Sequence, residues 1–269
     1  MSDPASPPCY AHEFEEYVFG ISPARAEVRA ITDRLTSVRT RMASACARVG
    51  RDPDSVKLLP VTKTVAVDRL RAAMAAGCQT FAENKVQEAQ EKAEALSDLN
   101  LRWVIVGHLQ RNKAKAVARF AHEFQALDRL ELADALQRRL DTEDRTLDVL
   151  VQINTSEEAS KFGLRPDEAL PLLRAMPGYS RLRVRGLMTL AMFSTDEVRV
   201  RACFRRLRDL RERLRDAAID GVSLEELSMG MSGDFEIAIE EGATTVRVGQ
   251  ALFGARGLPD SHYWPEASG

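Results

Sequence analysis

Residues 228–256, SMGMSGDFEIAIEEGATTVRVGQALFGAR, contain one complete unit of the pattern that decides the fold. A β-type run at 224–228 leads into a glycine-containing turn, a helical stretch follows, and a second β-type run at 244–248 leads into another glycine turn. Strands that alternate with helices in this way pair in parallel, because each helix carries the chain back to the starting edge of the sheet. The segment therefore predicts a parallel α/β fold.

The same alternation extends through most of the chain. β-type runs followed by a helical stretch or, at the last, a short tail occur near 57–62, 79–81, 102–106, 124–127, 147–153, 182–187, 224–228 and 244–248. Eight strand-helix units in about 200 residues are typical of a closed (β/α)8 barrel, the TIM barrel. An open doubly wound sheet is the structural alternative.

An additional amphipathic helix is predicted before the first strand. Ser22 and Pro23 resemble a helix cap followed by a proline in the first turn, and the helix is expected to end near Gly50. Apolar residues follow the start at three- and four-residue steps: Val28, Ile31, Leu35, Val38, Met42 and Cys46. We therefore predict three parts: a flexible arm at 1–22, a single barrel domain at 23–258 and a short tail at 259–269.

Composition and charge argue against several classes of protein. A chain of 269 residues with 45% apolar content can bury one large core. The formal net charge of −2 gives no extended positive field for nucleic acid or anionic lipid, and we find neither a signal peptide nor an apolar run long enough to span a bilayer. Four widely separated cysteines without a C-x-x-C pair suggest reduced thiols rather than a disulfide framework or a zinc site. A soluble cytoplasmic protein is expected.

A barrel places its functional residues just after the carboxyl ends of its strands, because the following loops build that face. The residues at these positions are Lys63, Glu83, Asn84, Gly107, His108, Asp128, Asn154, Met188, Thr189, Ser228 to Ser232 and Arg247 to Gly249. Strand ends also meet solvent, so a polar residue there can be purely structural. Asp128 is predicted to cap the next helix, and Asn154 to belong to a polar turn.

The two glycine turns of the opening segment predict an anion site. Residues 230–233 precede a helix that starts with Asp234, so backbone N–H groups and the Ser232 hydroxyl can point at an anion. Arg247 and Gly249 supply a second turn at the next strand end, and loops after strands seven and eight are the usual phosphate site of such barrels. Lys63 ends strand one, next to strand eight. Together these residues predict a phosphorylated carbonyl compound bound to the lysine as a Schiff base.

Two ligand classes fit this prediction. One is a sugar phosphate, as in Schiff-base aldolases, and the other is pyridoxal 5′-phosphate (PLP), whose aldehyde condenses with lysine. A PLP site needs a partner for the pyridine nitrogen, and Arg247 could be that partner. An arginine there keeps the nitrogen neutral and makes the ring a weak electron sink, which suits simple proton transfer or storage better than transamination.

Several ordered segments between residues 56 and 256 resemble the PLP homeostasis protein family, whose barrel is similar to the N-terminal domain of alanine racemase. The segments are VTKT, AENKVQEAQEK, WVIVGHLQRNKAK, INTSEEASKFGL, RGLMTL, SMGMSGDFEIAIEEGATTVRVG and ALFGAR. Thr62, Ala82 and Val104 depart from the family's more usual serine, glycine and histidine. These departures alter the pocket wall without removing a proposed ligand.

The resemblance implies a cofactor site for PLP made of Lys63, Asn84, Met188, Ser228, Met231, Ser232, Arg247, Gly249 and Gln250. Lys63 would form the aldimine, and Ser232 with the backbone of the Gly249 turn would bind the phosphate. Arg247 would face the pyridine nitrogen. No metal site is implied.

The sequence favours a carrier over an enzyme. A racemase needs an acid or base on each face of its substrate, and Lys63 can serve one face only. Alanine racemase takes the other group from a tyrosine in an added domain, for which the residues after Arg256 are too few; His108 and Tyr263 are the local candidates. We therefore hypothesise a non-catalytic protein, monomer or homodimer, that holds PLP and serves client apo enzymes. A PLP-dependent racemase and a Schiff-base aldolase are the alternatives.

Overall fold

The computed structural model describes residues 23–156, 158, 161–192 and 194–254. The predicted arm at 1–22, the predicted tail at 259–269 and Tyr263 lie outside these residues, so the domain boundaries stay predictions. Among the helices that are described, none has both the length and the apolar content needed to cross a bilayer.

Within the described part of the chain, eight parallel strands form one sheet that closes on itself. The strands are β1 Lys57–Pro60, β2 Thr80–Glu83, β3 Arg102–Ile105, β4 Glu123–Leu127, β5 Leu147–Gln152, β6 Leu182–Met188, β7 Glu226–Ser228 and β8 Thr245–Val248. Their order is β1-β8-β7-β6-β5-β4-β3-β2, and a bridge between Val61 and Ala82 joins the two ends. The predicted barrel is confirmed, and the open-sheet alternative is wrong because β1 and β2 close the sheet.

Helices cover the outside of the barrel. They are α1 Pro23–Arg48, α2 Val67–Ala75, α3 Val86–Ala95, α4 Ala114–Phe120, α5 Leu130–Glu143, α6 Ala169–Ala175, α7 Glu197–Arg215, α8 Phe235–Glu240 and α9 Gln250–Phe253. The predicted N-terminal helix is α1, and Ile31, Leu35 and Cys46 of its apolar stripe are buried. It packs against α2, α8 and α9. The helix α9, which α1 contacts, has four residues.

The barrel interior has an apolar side and a polar side. Leu59, Val61, Ala82, Val104 and Val106, from the β1–β3 region, form a small cluster separate from the main core. On the polar side, the hydroxyl of Ser228 in β7 contacts the amide of Gln125 in β4. These two strands are not neighbours, so their side chains meet across the interior. Buried polar groups need partners, and this side of the barrel leads to the candidate site.

Candidate functional site

Lys63 lies in a turn that follows β1 and is only 3% exposed. Burial of a lysine is costly unless its surroundings compensate, so such lysines are uncommon. The next residue, Thr64, has a φ of 64°, a left-handed conformation that is rare for a β-branched residue. Strained backbone of this kind often occurs at functional sites. The lysine predicted at the end of the first strand is therefore present, the structure shows that it is buried, and its covalent role stays a prediction.

Arg247 is buried in the barrel at the end of β8. Its Nη1 donates a hydrogen bond of 2.7 Å to Ser228 Oγ, and its Nη2 donates one of 2.7 Å to the carbonyl oxygen of Thr189. Burial lowers the pKa of Arg247 to about 10, and the charge of Asp234 opposes this shift. The guanidinium therefore stays charged at neutral pH while its two hydrogen-bond acceptors are neutral. Such a cation favours an electron-rich ligand group nearby.

Ser228 contacts Arg247 as part of a longer polar chain. Its hydroxyl donates a hydrogen bond of 2.6 Å to Gln125 Oε1, and Gln125 Nε2 donates one of 2.6 Å to Glu123 Oε1. The resemblance implied that Ser228 lines the cofactor pocket. In the structure its hydroxyl holds Arg247 in place, so an effect on a ligand would act through Arg247.

The turns after β7 and β8 meet at Ser232. Its hydroxyl oxygen accepts hydrogen bonds from the backbone N–H groups of Gly249 and Ala251, each at 3.3 Å. Among the hydrogen bonds of the described residues, the N–H groups of Ser232, Gly233 and Gln250 have no acceptor. The structure thus brings the predicted phosphate turns together as one group of backbone donors, which is the kind of arrangement that binds phosphate.

Met231 contributes to this turn in a different way from Ser232. Its N–H donates a 2.5 Å hydrogen bond to Asp234 Oδ1, so this donor is already used. Gly230 has a φ of 91°, and a Cβ there would lie 2.6 Å from the Cβ of Ala238. Only glycine fits this position, which brings the turn close to α8. Met231 is therefore part of the turn's frame, and its predicted contact with a cofactor stays a prediction.

Asn84 and Met188 lie at the same face of the barrel. Asn84 follows β2, and Met188 is the last residue of β6. Asn84 Oδ1 is buried and has no hydrogen-bond partner among the described residues. An unpaired buried amide oxygen is costly, so this atom is suited to accept a hydrogen bond from a ligand. Met188 is fully buried at the end of β6. Gly107, after β3, lies so close to Asn84 that a Cβ would be 2.1 Å from the Asn84 backbone oxygen.

His108 and Asp128 form a pair at the ends of β3 and β4. His108 Nδ1 is 3.5 Å from Asp128 Oδ2, and its ring stacks on Phe162 with 4.0 Å between centroids. Burial lowers the pKa of His108, with Asp128 acting against the shift, so the imidazole is neutral at pH 7. The predicted helix cap at Asp128 is wrong: α5 has no side-chain cap, and the carboxylate contacts His108 and Arg129 instead.

Sequence reasoning missed a second buried lysine. Lys92, in α3, is 5% exposed and contacts both Glu83 and Glu88. The segment AENKVQEAQEK contained the signal, because Glu88 and Lys92 are four residues apart on one helix face and Glu83 ends the preceding strand. The tertiary structure adds that this helix face lies against the turn that carries Lys63.

Comparison with known proteins identifies the family of the chain. The alanine racemase N-terminal domain model matches residues 34–257. A pyridoxal phosphate homeostasis protein of Aquifex aeolicus is 41% identical over 224 residues, which are 83% of this chain and 97% of that protein. The homologue of the same description from Pseudomonas aeruginosa is 41% identical over 233 residues, 86% of this chain and 99% of its own.

Solved structures show the same relationship. The structure of PipY from Synechococcus elongatus with PLP bound is 33% identical, with a TM-score of 0.74, and covers 83% of this chain and 100% of that one. An alanine racemase of Clostridium difficile has a TM-score of 0.67 at 14% identity and covers 85% of this chain and 58% of its own, so it shows a shared fold alone. The chain belongs to the pyridoxal phosphate homeostasis proteins, within the family of the alanine racemase N-terminal domain.

Proposed function

We propose that the chain binds PLP through a Schiff base to Lys63 and holds it for storage or delivery to client apo enzymes, without carrying out a reaction on amino acids. One observation carries the proposal: a buried lysine follows β1, the neighbour of β8, and the turn after β8 meets the donor turn of β7 at Ser232. The N–H of Val61 donates to the carbonyl oxygen of Val248 at 3.0 Å, so the chain enters the Lys63 turn next to the Gly249 turn. The names of the relatives and the PLP-bound PipY structure support the choice of ligand.

The described residues fit this cofactor. The N–H groups of Ser232, Gly233 and Gln250 suit its phosphate, and the unpaired Oδ1 of Asn84 can accept a hydrogen bond from its polar ring substituents. When bound, PLP would supply an aldehyde for condensation with an unprotonated lysine amine, in which a C=N bond replaces the C=O bond and the oxygen leaves as water. Arg247 stays a cation and would leave the pyridine nitrogen unprotonated. Without a protonated ring nitrogen the cofactor is a poor electron sink, which favours holding PLP over transforming amino acids.

The state of His108 also favours a carrier. A racemase needs a proton donor on the face of its substrate opposite Lys63. Of the two candidates that the sequence suggested, His108 is the one that lies within the described residues. Its ring is stacked on Phe162, and its pKa is lowered by burial. A neutral imidazole in this position is poorly suited to deliver a proton at pH 7.

Absorbance spectroscopy tests the covalent attachment. The purified protein incubated with PLP is expected to develop the visible band of a protonated Schiff base, and Lys63→Ala is expected to lose it. Lys115→Ala, at an exposed position on α4, is the matched control and should keep the band. After borohydride reduction, peptide mass spectrometry should locate the pyridoxyl group on Lys63. A band that survives in Lys63→Ala would contradict the proposal, as would a wild-type protein that binds sugar phosphates and not PLP.

Deuterium exchange at Cα of a panel of amino acids separates the carrier from a racemase. We expect no exchange beyond one turnover per PLP bound, since His108, the candidate second acid among the described residues, has a lowered pKa and is poorly suited to deliver a proton at pH 7. Steady exchange over many turnovers would contradict the proposal of a non-catalytic carrier and support racemase activity.

Delivery is tested by mixing PLP-loaded protein with an apo PLP enzyme in the presence of a trap for free PLP. Activation of the apo enzyme despite the trap is expected for direct transfer. Failure to activate it would contradict delivery and leave storage as the function.

A further inference from the structure

Three charged residues of β2 and α3 surround the turn that carries Lys63. We propose that Glu83, Glu88 and Lys92, called here the β2–α3 clamp, fix this turn and make Lys63, rather than Lys92, the amine that reacts with an aldehyde. The inference rests on the proposed function and assigns the clamp a positioning role in it.

Lys92 is the centre of the clamp. Its Nζ donates hydrogen bonds to the carbonyl oxygen of Thr62 at 2.7 Å, to Glu83 Oε1 at 2.6 Å and to Glu88 Oε1 at 2.7 Å. A lysine ammonium has three N–H donors, so all of them are used. Only 7% of its side chain is exposed. Lys92 thus joins α3 to the chain just after β1.

The same carboxylates hold both neighbours of Lys63. The hydroxyl of Thr62 donates to Glu83 Oε1 at 2.6 Å, and the backbone N–H of Thr64 donates to Glu88 Oε1 at 2.6 Å. Thr64 adopts its left-handed conformation between these contacts. A β-branched residue keeps such a conformation only where surrounding contacts enforce it. The clamp supplies those contacts on each side of Lys63.

The clamp also explains how two buried lysines can differ in reactivity. Lys63 is 3% exposed and Lys92 is 5% exposed, so burial alone does not distinguish them. An adduct at Lys92 would break at least one of its three hydrogen bonds and leave a buried carboxylate or carbonyl oxygen without that partner, which is costly. Lys92 therefore serves as a structural link and leaves the aldehyde to Lys63.

Glu83 makes the clamp dependent on Lys92. Glu83 is fully buried, and its Oε2 has no hydrogen-bond partner among the described residues. Burial raises the pKa of Glu83, and the charge of Lys92 opposes this shift. Removal of Lys92 alone would leave the carboxylate without its main compensation. A variant that removes both partners avoids this penalty and is the better test of positioning.

The rate of Schiff-base formation tests the positioning role in the full-length protein. We compare wild type, Thr62→Val, the double variant Glu83→Gln/Lys92→Met, and Lys115→Met as an exposed-lysine control. Thr62→Val and Glu83→Gln/Lys92→Met, called here the clamp variants, both remove contacts between the clamp and the Lys63 turn. They are expected to form the PLP band about tenfold more slowly, because a small displacement of a reacting amine lowers its rate strongly. The control should match wild type.

Binding of pyridoxine 5′-phosphate separates positioning from a general loss of structure. This molecule has a hydroxymethyl group in place of the aldehyde, so it occupies the pocket without reacting with Lys63. The clamp variants should bind it within about twofold of wild type, since only the amine is displaced. An unchanged rate of band formation in a folded variant would overturn the proposal, and so would an equal loss of rate and of pyridoxine 5′-phosphate affinity.

Adduct mapping tests the choice between the two lysines. In wild type, borohydride reduction with PLP should label Lys63 and leave Lys92 unlabelled. In Glu83→Gln/Glu88→Gln, which releases the Lys92 ammonium, label should also appear on Lys92; label confined to Lys63 would overturn the assigned selectivity. A wild-type protein without any Lys63 adduct would instead contradict the proposed function, so the two failures are distinguishable.

Discussion

At the scale of single residues, Arg247 shows how position decides chemistry. The sequence indicated an arginine at a strand end, and the tertiary structure buries it with two neutral acceptors, Ser228 and Thr189. Its pKa falls to about 10 and still leaves it charged at neutral pH. Ser228, predicted from the family resemblance as a pocket residue, acts on Arg247 in the structure. Neither the acceptors nor the burial could be read from the sequence around Arg247.

Gly107 is a second residue whose importance depends on a close approach. Gly107→Ala would place a Cβ 2.1 Å from the backbone oxygen of Asn84, so the ends of β2 and β3 would have to separate. We expect the free energy of unfolding to fall by about 1–3 kcal/mol. PLP retention should also weaken because Asn84 moves. Urea denaturation and the visible PLP band measure the two effects.

Gly178→Ala is the matched control for this substitution. A Cβ at Gly178 would meet no atom within 4 Å. The Gly178→Ala variant should therefore have a free energy of unfolding and a PLP band close to those of wild type. Equal behaviour of the Gly107 and Gly178 variants would show that the contact between Gly107 and Asn84 has no energetic importance.

At the scale of elements, β3 and β4 are joined by a bond that depends on pH. The N–H of Trp103 donates a 3.1 Å hydrogen bond to Nδ1 of His122, just before β4. This nitrogen accepts only in the neutral imidazole. Burial lowers the pKa of His122 below its ordinary value of 6.5, and Arg102 and Arg145 lower it further. The structure therefore favours the unprotonated ring.

We expect the protein to lose stability as the pH falls below about 6.5, the ordinary pKa of histidine. Below that pH the folded state binds fewer protons at His122 than the unfolded state does. The contribution of neutral His122 to the free energy of unfolding is therefore complete above the ordinary pKa of histidine and is lost as the pH falls through the lowered pKa of the folded state. His122→Asn keeps a hydrogen-bond acceptor without a titrating ring. Its free energy of unfolding should change less between pH 7 and pH 5 than that of wild type. The pKa of His108 is also lowered, so the dependence of the free energy of unfolding on pH should become weaker in His122→Asn without disappearing. If His122→Asn showed the same dependence on pH as wild type, the role assigned to His122 would be contradicted.

At the scale of the whole molecule, the barrel closes by contacts between distant parts of the sequence. β1 pairs with β8 through Leu59 and Arg247, and the bridge of Val61 with Ala82 completes the ring. The α1 helix packs against helices from both ends of the described chain. Closure therefore gathers the Lys63 turn, the Ser232 turn and the Gly249 turn on one face.

Much of this architecture could be predicted from the sequence because the fold depends on periodic patterns. Each predicted strand agrees with the structure to within two residues at either end, and the stripe from Val28 to Cys46 marked α1 correctly. The two glycine turns after β7 and β8 were also identifiable, since glycine positions record where the backbone must turn tightly; their binding of phosphate stays a prediction. The helix cap assigned to Asp128 failed because its carboxylate is used by tertiary neighbours rather than by its own helix.

The sequence by itself determined the alternation of strands and helices, the family, and the lysine at the end of the first strand. Only the tertiary structure decided which groups share a hydrogen bond: Arg247 with Ser228, Ser232 with Gly249, and Lys92 with the turn that holds Lys63. The physical reason is that periodicity is a local property of the chain, whereas the partner of a buried charge is set by closure of the barrel. The hydrogen bonds that hold Lys92 are accordingly a property of the folded molecule.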